Sequence, residues 1–88
     1  MSVIYVIFIR DLLSPYLTLT PDTSSILERK IFNIPYDEIR VDFSHVESIS
    51  RDFAQEYMSI KLRSKKLINE VNVPLDLEGI MDDALKPK

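Results

Sequence analysis

EIRVDFSHVESISRDFAQEYMSIKL, Glu38 to Leu62, reads as a strand, a polar turn, and a helix that starts at the strand's carboxyl end. Over Glu38 to Phe43, Ile39, Val41 and Phe43 alternate with Arg40 and Asp42, the period of two that gives a strand one apolar face. Ser44 to Ile49 turns the chain, with Val46 and Ile49 tucked inward. Ser50 is an N-cap, and Asp52 follows in the first turn, where its charge meets the positive end of the helix dipole. From Arg51 to about Lys65 the helix buries Phe53, Ala54, Tyr57 and Ile60, with Met58 and Leu62 at the margin. Lys61, Arg63, Lys65 and Lys66 gather at its negative end.

Upstream, Val3 to Ile9 (VIYVIFI) is wholly β-branched or aromatic, which favours a strand. It shows no alternation, so a strand covered on both faces is expected. Arg10 to Tyr16 is a connection punctuated by Pro15, and Leu17 to Thr20 adds a short extended piece. Thr20, Pro21 and Asp22 suit a helix start. That helix presents Ile26, Leu27, Ile31 and Phe32 and ends near Asn33, because Pro35 pushes Ile34 out of helical conformation. Downstream, Leu67 to Val73 is a strand broken by polar residues and so suited to a sheet edge. Leu75 to Leu85 then spaces Leu77, Ile80, Met81, Ala84 and Leu85 as one helical stripe. Lys86 to Lys88 are expected to fray.

The order is β-α-β-α-β-α, which predicts an α/β domain with a mainly parallel sheet of three to four strands packed with helices. Residues 1–88 form a single domain, since a chain of this length supports one core.

Composition excludes several functions. There is no cysteine, hence no disulfide, thiolate metal site or thiol nucleophile. The single glycine, Gly79, cannot build a phosphate-cradling loop. A net charge of −3 provides no general attraction to nucleic acid or an anionic membrane, and no aromatic residue is interleaved with the Lys61–Lys66 cations to stack bases. The longest N-terminal apolar run falls well short of the roughly 20 residues of a membrane-spanning helix. It also lacks the basic flank and cleavage site of a signal peptide. A soluble cytoplasmic protein is expected, with no metal or cofactor.

Asp42, Ser44 and His45 are too close in sequence on a strand end and turn to read as a catalytic triad. The lone His45 cannot form a multi-histidine metal site. Ser48, Ser50 and Asp52 are explained by helix capping, and a cap can also sit inside an interface. The acidic residues Asp76, Glu78, Asp82 and Asp83 read as a solvated helix face.

Val41 to Tyr57, VDFSHVESISRDFAQEY, carries a recognisable pattern. Asp42-Phe43 end a strand, Val46 sits in the turn, and Ser48-Ile49-Ser50 runs into Phe53-Ala54 at a helix start, with Glu56 in keeping. In this it resembles the STAS-like domain-of-unknown-function family, related to the STAS domains of anti-sigma-factor antagonists and sulphate transporters. Leu17 to Thr20 and Asn72-Val73-Pro74 agree more loosely with that family. The resemblance implies a non-enzymatic regulatory module that docks a protein partner, of histidine-kinase-like or other signalling type, through residues 44–57. Ser44, His45, Ser48, Ser50, Arg51 and Asp52 would meet that partner. In the antagonists a serine before this helix is phosphorylated. Matched position by position, that serine falls on Asp52 and the following glycine on Phe53. A fixed carboxylate cannot be switched by a kinase, so Asp52 stands in for a permanently charged state with less charge than a phosphate.

Two other readings are carried forward. One is a small-ligand binder at the carboxyl ends of the strands, lined by Asp42, Ser44, His45 and Asn72. The other is a self-associating domain, a homodimer formed through the first strand or the third-strand edge.

Overall fold

The structure is a computed structural model that describes residues 3–84. Strands β1 (Ile4–Phe8), β3 (Glu38–Asp42) and β5 (Leu67–Val71) form a parallel sheet in the order β1-β3-β5. A second parallel pair joins β2 (Tyr16–Leu17) to β4 (Ser48–Ile49). The helices are α1 (Ile9–Leu12), α2 (Thr23–Leu27), α3 (Arg51–Arg63) and α4 (Glu78–Ala84). The expected α/β domain with a parallel sheet is what forms.

Register explains the core. Tyr5, Ile39 and Ile68 lie side by side across the sheet, as do Ile7, Val41 and Glu70. Ile7, Ile39, Val41 and Ile68 are buried there, joined by Ile9 and Phe43 beyond the strand ends. Above them α3 seats Phe53, Ala54, Tyr57 and Ile60. The Tyr57 ring stacks on Phe53 (centroids 6.3 Å apart) and meets Phe43 and Phe32 edge-on at 6.0 Å each. Each such side chain contributes about 1.5–3 kcal/mol by leaving water, against roughly 1 kcal/mol for a helix cap. Packing on β3 therefore dominates the stability of α3.

The Tyr57 hydroxyl donates to Glu70 (2.9 Å), whose carboxylate also accepts from Lys61 at 2.8 and 3.0 Å. This network settles a carboxylate that the strand register would otherwise leave unpaired beneath α3. Burial, reinforced by the Glu70 charge and the hydrogen bond to it, raises the Tyr57 phenol well above its ordinary value. A hydrogen bond between Ser24 and Glu56 ties α2 to α3.

Several expectations need correction. β1 is not covered on both faces. The two crossovers, β1 to β3 and β3 to β5, step in the same direction across the sheet. Right-handed connections therefore place both sets of helices on one face. Ile4, Val6 and Phe8 point to the other face and are 39%, 44% and 48% exposed. Ile9 leaves the strand to begin α1 and is fully buried.

The second helix starts at Thr23 rather than at Thr20, because Thr23 is buried and its hydroxyl accepts from the Thr20 backbone N–H (2.8 Å). It continues as a π-helical segment over Glu28–Phe32 and ends at Asn33 as expected. Of the two side chains placed at the α3 margin, Met58 is buried and Leu62 is 73% exposed. The last helix opens with a 3-10 turn, Leu75–Leu77, before α4. Leu77 and Met81 are buried and Ile80 and Ala84 pack against the core. Leu85 and the expected fraying at 86–88 lie outside the described residues.

Two variants should separate packing from polar contributions in urea unfolding. Phe53→Ala is expected to cost about 3–5 kcal/mol. Tyr57→Phe, which leaves Glu70 its bond from Lys61, is expected to cost about 1 kcal/mol.

Candidate functional site

The segment after β3 is built on an aspartate. Asp42 ends the strand and its Oδ1 accepts from the backbone N–H of Ser44 (2.8 Å) and from the Ser44 hydroxyl (2.5 Å). An aspartate accepting from the backbone two residues on forms a tight local turn. The Asn72 side-chain amide, just past β5, donates to both Asp42 carboxylate oxygens at 3.2 Å. Asp42 thereby clasps the carboxyl ends of β3 and β5 together, and it is only 9% exposed. Burial pushes its carboxyl upward, but the Ser44 hydroxyl and amide, the Asn72 amide and the nearby His45 outweigh that and hold it below the usual carboxylate value. His45 and Asn72 both take left-handed backbone conformations, φ 64° and 57°. Histidine and asparagine are among the non-glycine residues that tolerate this region best.

From His45 the chain dips inward and out again. Val46 and Ile49 are 4% exposed, while His45, Glu47 and Ser48 face solvent. The Pro15 carbonyl accepts from the Glu47 N–H (2.7 Å), and the Leu17 carbonyl accepts from the Ser50 N–H (2.8 Å). These bonds lock β4 against β2. Ser50 then caps α3, its hydroxyl accepting from the Phe53 N–H (3.1 Å). Arg51 and Asp52 stand exposed in the first turn, and Phe53 and Ala54 are fully buried beneath them.

The six residues singled out from the sequence thus divide. His45, Ser48, Arg51 and Asp52 are exposed around the start of α3. Ser44 and Ser50 are half-buried, their hydroxyls engaged in holding the turn and the helix start. Asp52 is exposed and its neighbour Phe53 is a core side chain. Asp42, Ser44 and Asn72 do come together at the carboxyl ends of the strands, but on one another: the Asp42 oxygens are occupied by its two neighbours. Among the described residues no three or more His, Asp or Glu side chains are placed to hold a metal ion.

Sequence reading missed the rest of the rim. Arg10, Pro15 and Tyr16 line a shallow hollow with His45 and Glu47. Leu19, Gln55, Glu56 and Ser59 line another beside Asp52. Pro15, Tyr16 and Leu19 are brought here by the β2–β4 pairing, for which two residues on each side leave no periodic signal, whereas Gln55, Glu56 and Ser59 stand on α3 itself. A larger open groove of about 520 Å³ lies at the opposite, amino end of the strands, lined by residues including Asp37, Arg63 and Lys66. Lys66 is committed there to the carbonyls of Ile34 and Tyr36, at 2.6 and 2.7 Å. No helix of the described residues is long and apolar enough to cross a membrane.

In comparisons with known proteins the chain matches no family model, no curated protein and no solved structure.

Removing the Asp42 clasp should cost about 2 kcal/mol in Asp42→Ala, the order expected when buried hydrogen-bond partners lose their acceptor. The depressed carboxyl fixes the sign of the pH dependence. The clasp's ionic contribution is full above the unfolded aspartate value of about 3.9 and is lost as pH falls through the lower folded value. The wild type should therefore lose stability across that acid range more steeply than Asp42→Asn in thermal melts. Ser50→Ala should cost about 1 kcal/mol, read by urea unfolding.

Proposed function

We propose that this chain is a non-enzymatic regulatory module of STAS-like kind that docks a protein partner through residues 44–57. One observation carries the reading: His45, Glu47, Ser48, Arg51 and Asp52 are exposed on a segment whose intervening or following residues Val46, Ile49, Phe53, Ala54 and Tyr57 are buried. A surface anchored this way loses little conformational freedom on binding, so little ordering cost opposes association. Its exposed side chains carry both signs of charge, with Arg51 between Glu47 and Asp52. Mixed charge of this kind selects and orients a complementary partner more than it adds raw affinity.

The Val41–Tyr57 resemblance supports the same face, because the equivalent segment of anti-sigma-factor antagonists meets their kinase. On this reading the partner is a histidine-kinase-like or other signalling protein and the setting is the cytoplasm, in keeping with a chain that has no cysteine. Asp52 supplies a fixed negative charge at the matched position, so docking is constitutive at that residue instead of being phosphorylation-gated.

The test is capture of partners from lysate on the immobilised wild-type chain, followed by calorimetry with the purified partner. Arg51→Glu and Asp52→Ser should each weaken binding by about tenfold or more while changing stability by no more than the roughly 0.3–1 kcal/mol of a first-turn charge on the helix dipole, since both side chains are exposed. A partner that binds both variants as it binds the wild type, or a wild-type surface that retains no protein, would sink the proposal.

A further inference from the structure

β1 occupies one edge of the three-stranded sheet, and among the described residues it pairs only with β3. Alternate backbone N–H and C=O groups of a parallel edge strand point outward with no strand to receive them. Proteins usually protect such an edge with lysine, proline, a bulge or a covering segment. Ile4–Phe8 contains no charge and no proline. Of the ten large apolar side chains that are exposed among the described residues, five lie in one run at the edge: Val3, Ile4, Tyr5, Val6 and Phe8. The apolar exposure of this chain is therefore concentrated where its backbone is also unpaired.

We propose that this edge pairs with β1 of a second copy of the chain, antiparallel about a two-fold axis at Val6, making one continuous six-stranded sheet. A two-fold axis makes the contact isologous and closes the assembly at a dimer. In that register Ile4 lies opposite Phe8 of the second copy, Tyr5 opposite Ile7, and Val6 opposite itself. Each is an aromatic–aliphatic or β-branched pair, the kind that stabilises neighbouring strands, and no two like charges oppose.

Charge distribution selects this edge over the other. The equivalent pairing of β5 about Asn69 would set Ile68 against the Glu70 carboxylate, which is already held by Tyr57 and Lys61. The second copy supplies the uncharged strand that β1 requires, at the matching length and pattern. A strand edge this short buries less than the roughly 800 Å² per partner of a standard interface, so the dimer is a weak, reversible one. The contact uses no residue of 44–57, so it stands or falls independently of the docking surface.

Sedimentation velocity on the full chain, from low micromolar to near-millimolar concentration, tests it. The wild type should move reversibly from monomer to dimer as concentration rises. Val6→Lys places two ammonium groups at the axis and should weaken association by at least about tenfold. Its circular dichroism should be unchanged, because Val6 is 44% exposed in the monomer. Asn69→Lys, an exposed change on β5 at the other edge, should leave association intact. Mixing Val6→Lys with Val6→Glu should restore a dimer. If Val6→Lys fails to fold, Phe8→Lys makes the same test opposite Ile4 of the second copy. A wild type that is monomeric throughout, as expected of an edge reserved for an unrelated peptide, overturns the proposal. So does association that survives the β1 substitutions.

Discussion

The inner face of β3 is the surface on which everything else is set. Ile39, Val41 and Phe43 are fully buried there, and Phe53 and Tyr57 of α3 close over them. Because β3 is central, its two neighbours are fixed by register on either side, and the crossovers that reach them pass over one face. That single constraint makes a two-layer molecule with one dry interface and one open sheet face. It also determines where the chain is short of partners: the outer face and the β1 edge.

The carboxyl end of β3 then inherits a mechanical task. Parallel strands of five residues have few ladder bonds to hold their ends together, and Asp42 adds a polar clasp between β3 and β5. The clasp engages the polar groups of Asp42, Ser44 and Asn72 with one another. Ser44 donates its hydroxyl to Asp42. Asn72 takes a left-handed conformation to reach the carboxylate. An arrangement whose polar atoms satisfy one another is suited to holding the turn at a fixed height above the sheet. The rim at His45, Ser48, Arg51 and Asp52 is displayed by that turn.

Two features of the surface have different physical origins. The rim around the start of α3 is polar because the segment alternates between core and solvent. The β1 edge is apolar and exposed because, among the described residues, only the Tyr36 ring stacks on this run, at Tyr5, and no further strand pairs with it. They lie on different elements.

Much of this was present in the residues. The alternation over Ile39 to Phe43, the Ser50 cap and the stripe from Phe53 to Ile60 specify strand, turn and helix locally. Local energetics and packing agree there, so the expected burial of Val46, Ile49, Phe53 and Tyr57 matches what forms. The Asp42–Ser44 turn was legible in principle, since an aspartate two residues before a serine is a local signal. The exposure of Ile4, Val6 and Phe8 was not. An apolar run is written identically whether it lies at the centre of a sheet or at its edge, and only strand order and crossover handedness distinguish the two. Equally hidden were the Glu70 network beneath α3 and the β2–β4 pairing that brings Pro15 and Tyr16 to the rim. Both join residues distant in sequence through contacts that exist only once the chain has closed on itself. Sequence alone determined the three longer strands and the helices that follow them, through periodicity and capping, but not the short β2, β4 and α1. Tertiary structure alone decided which faces they leave in water, because burial belongs to the assembled layers and not to any one segment.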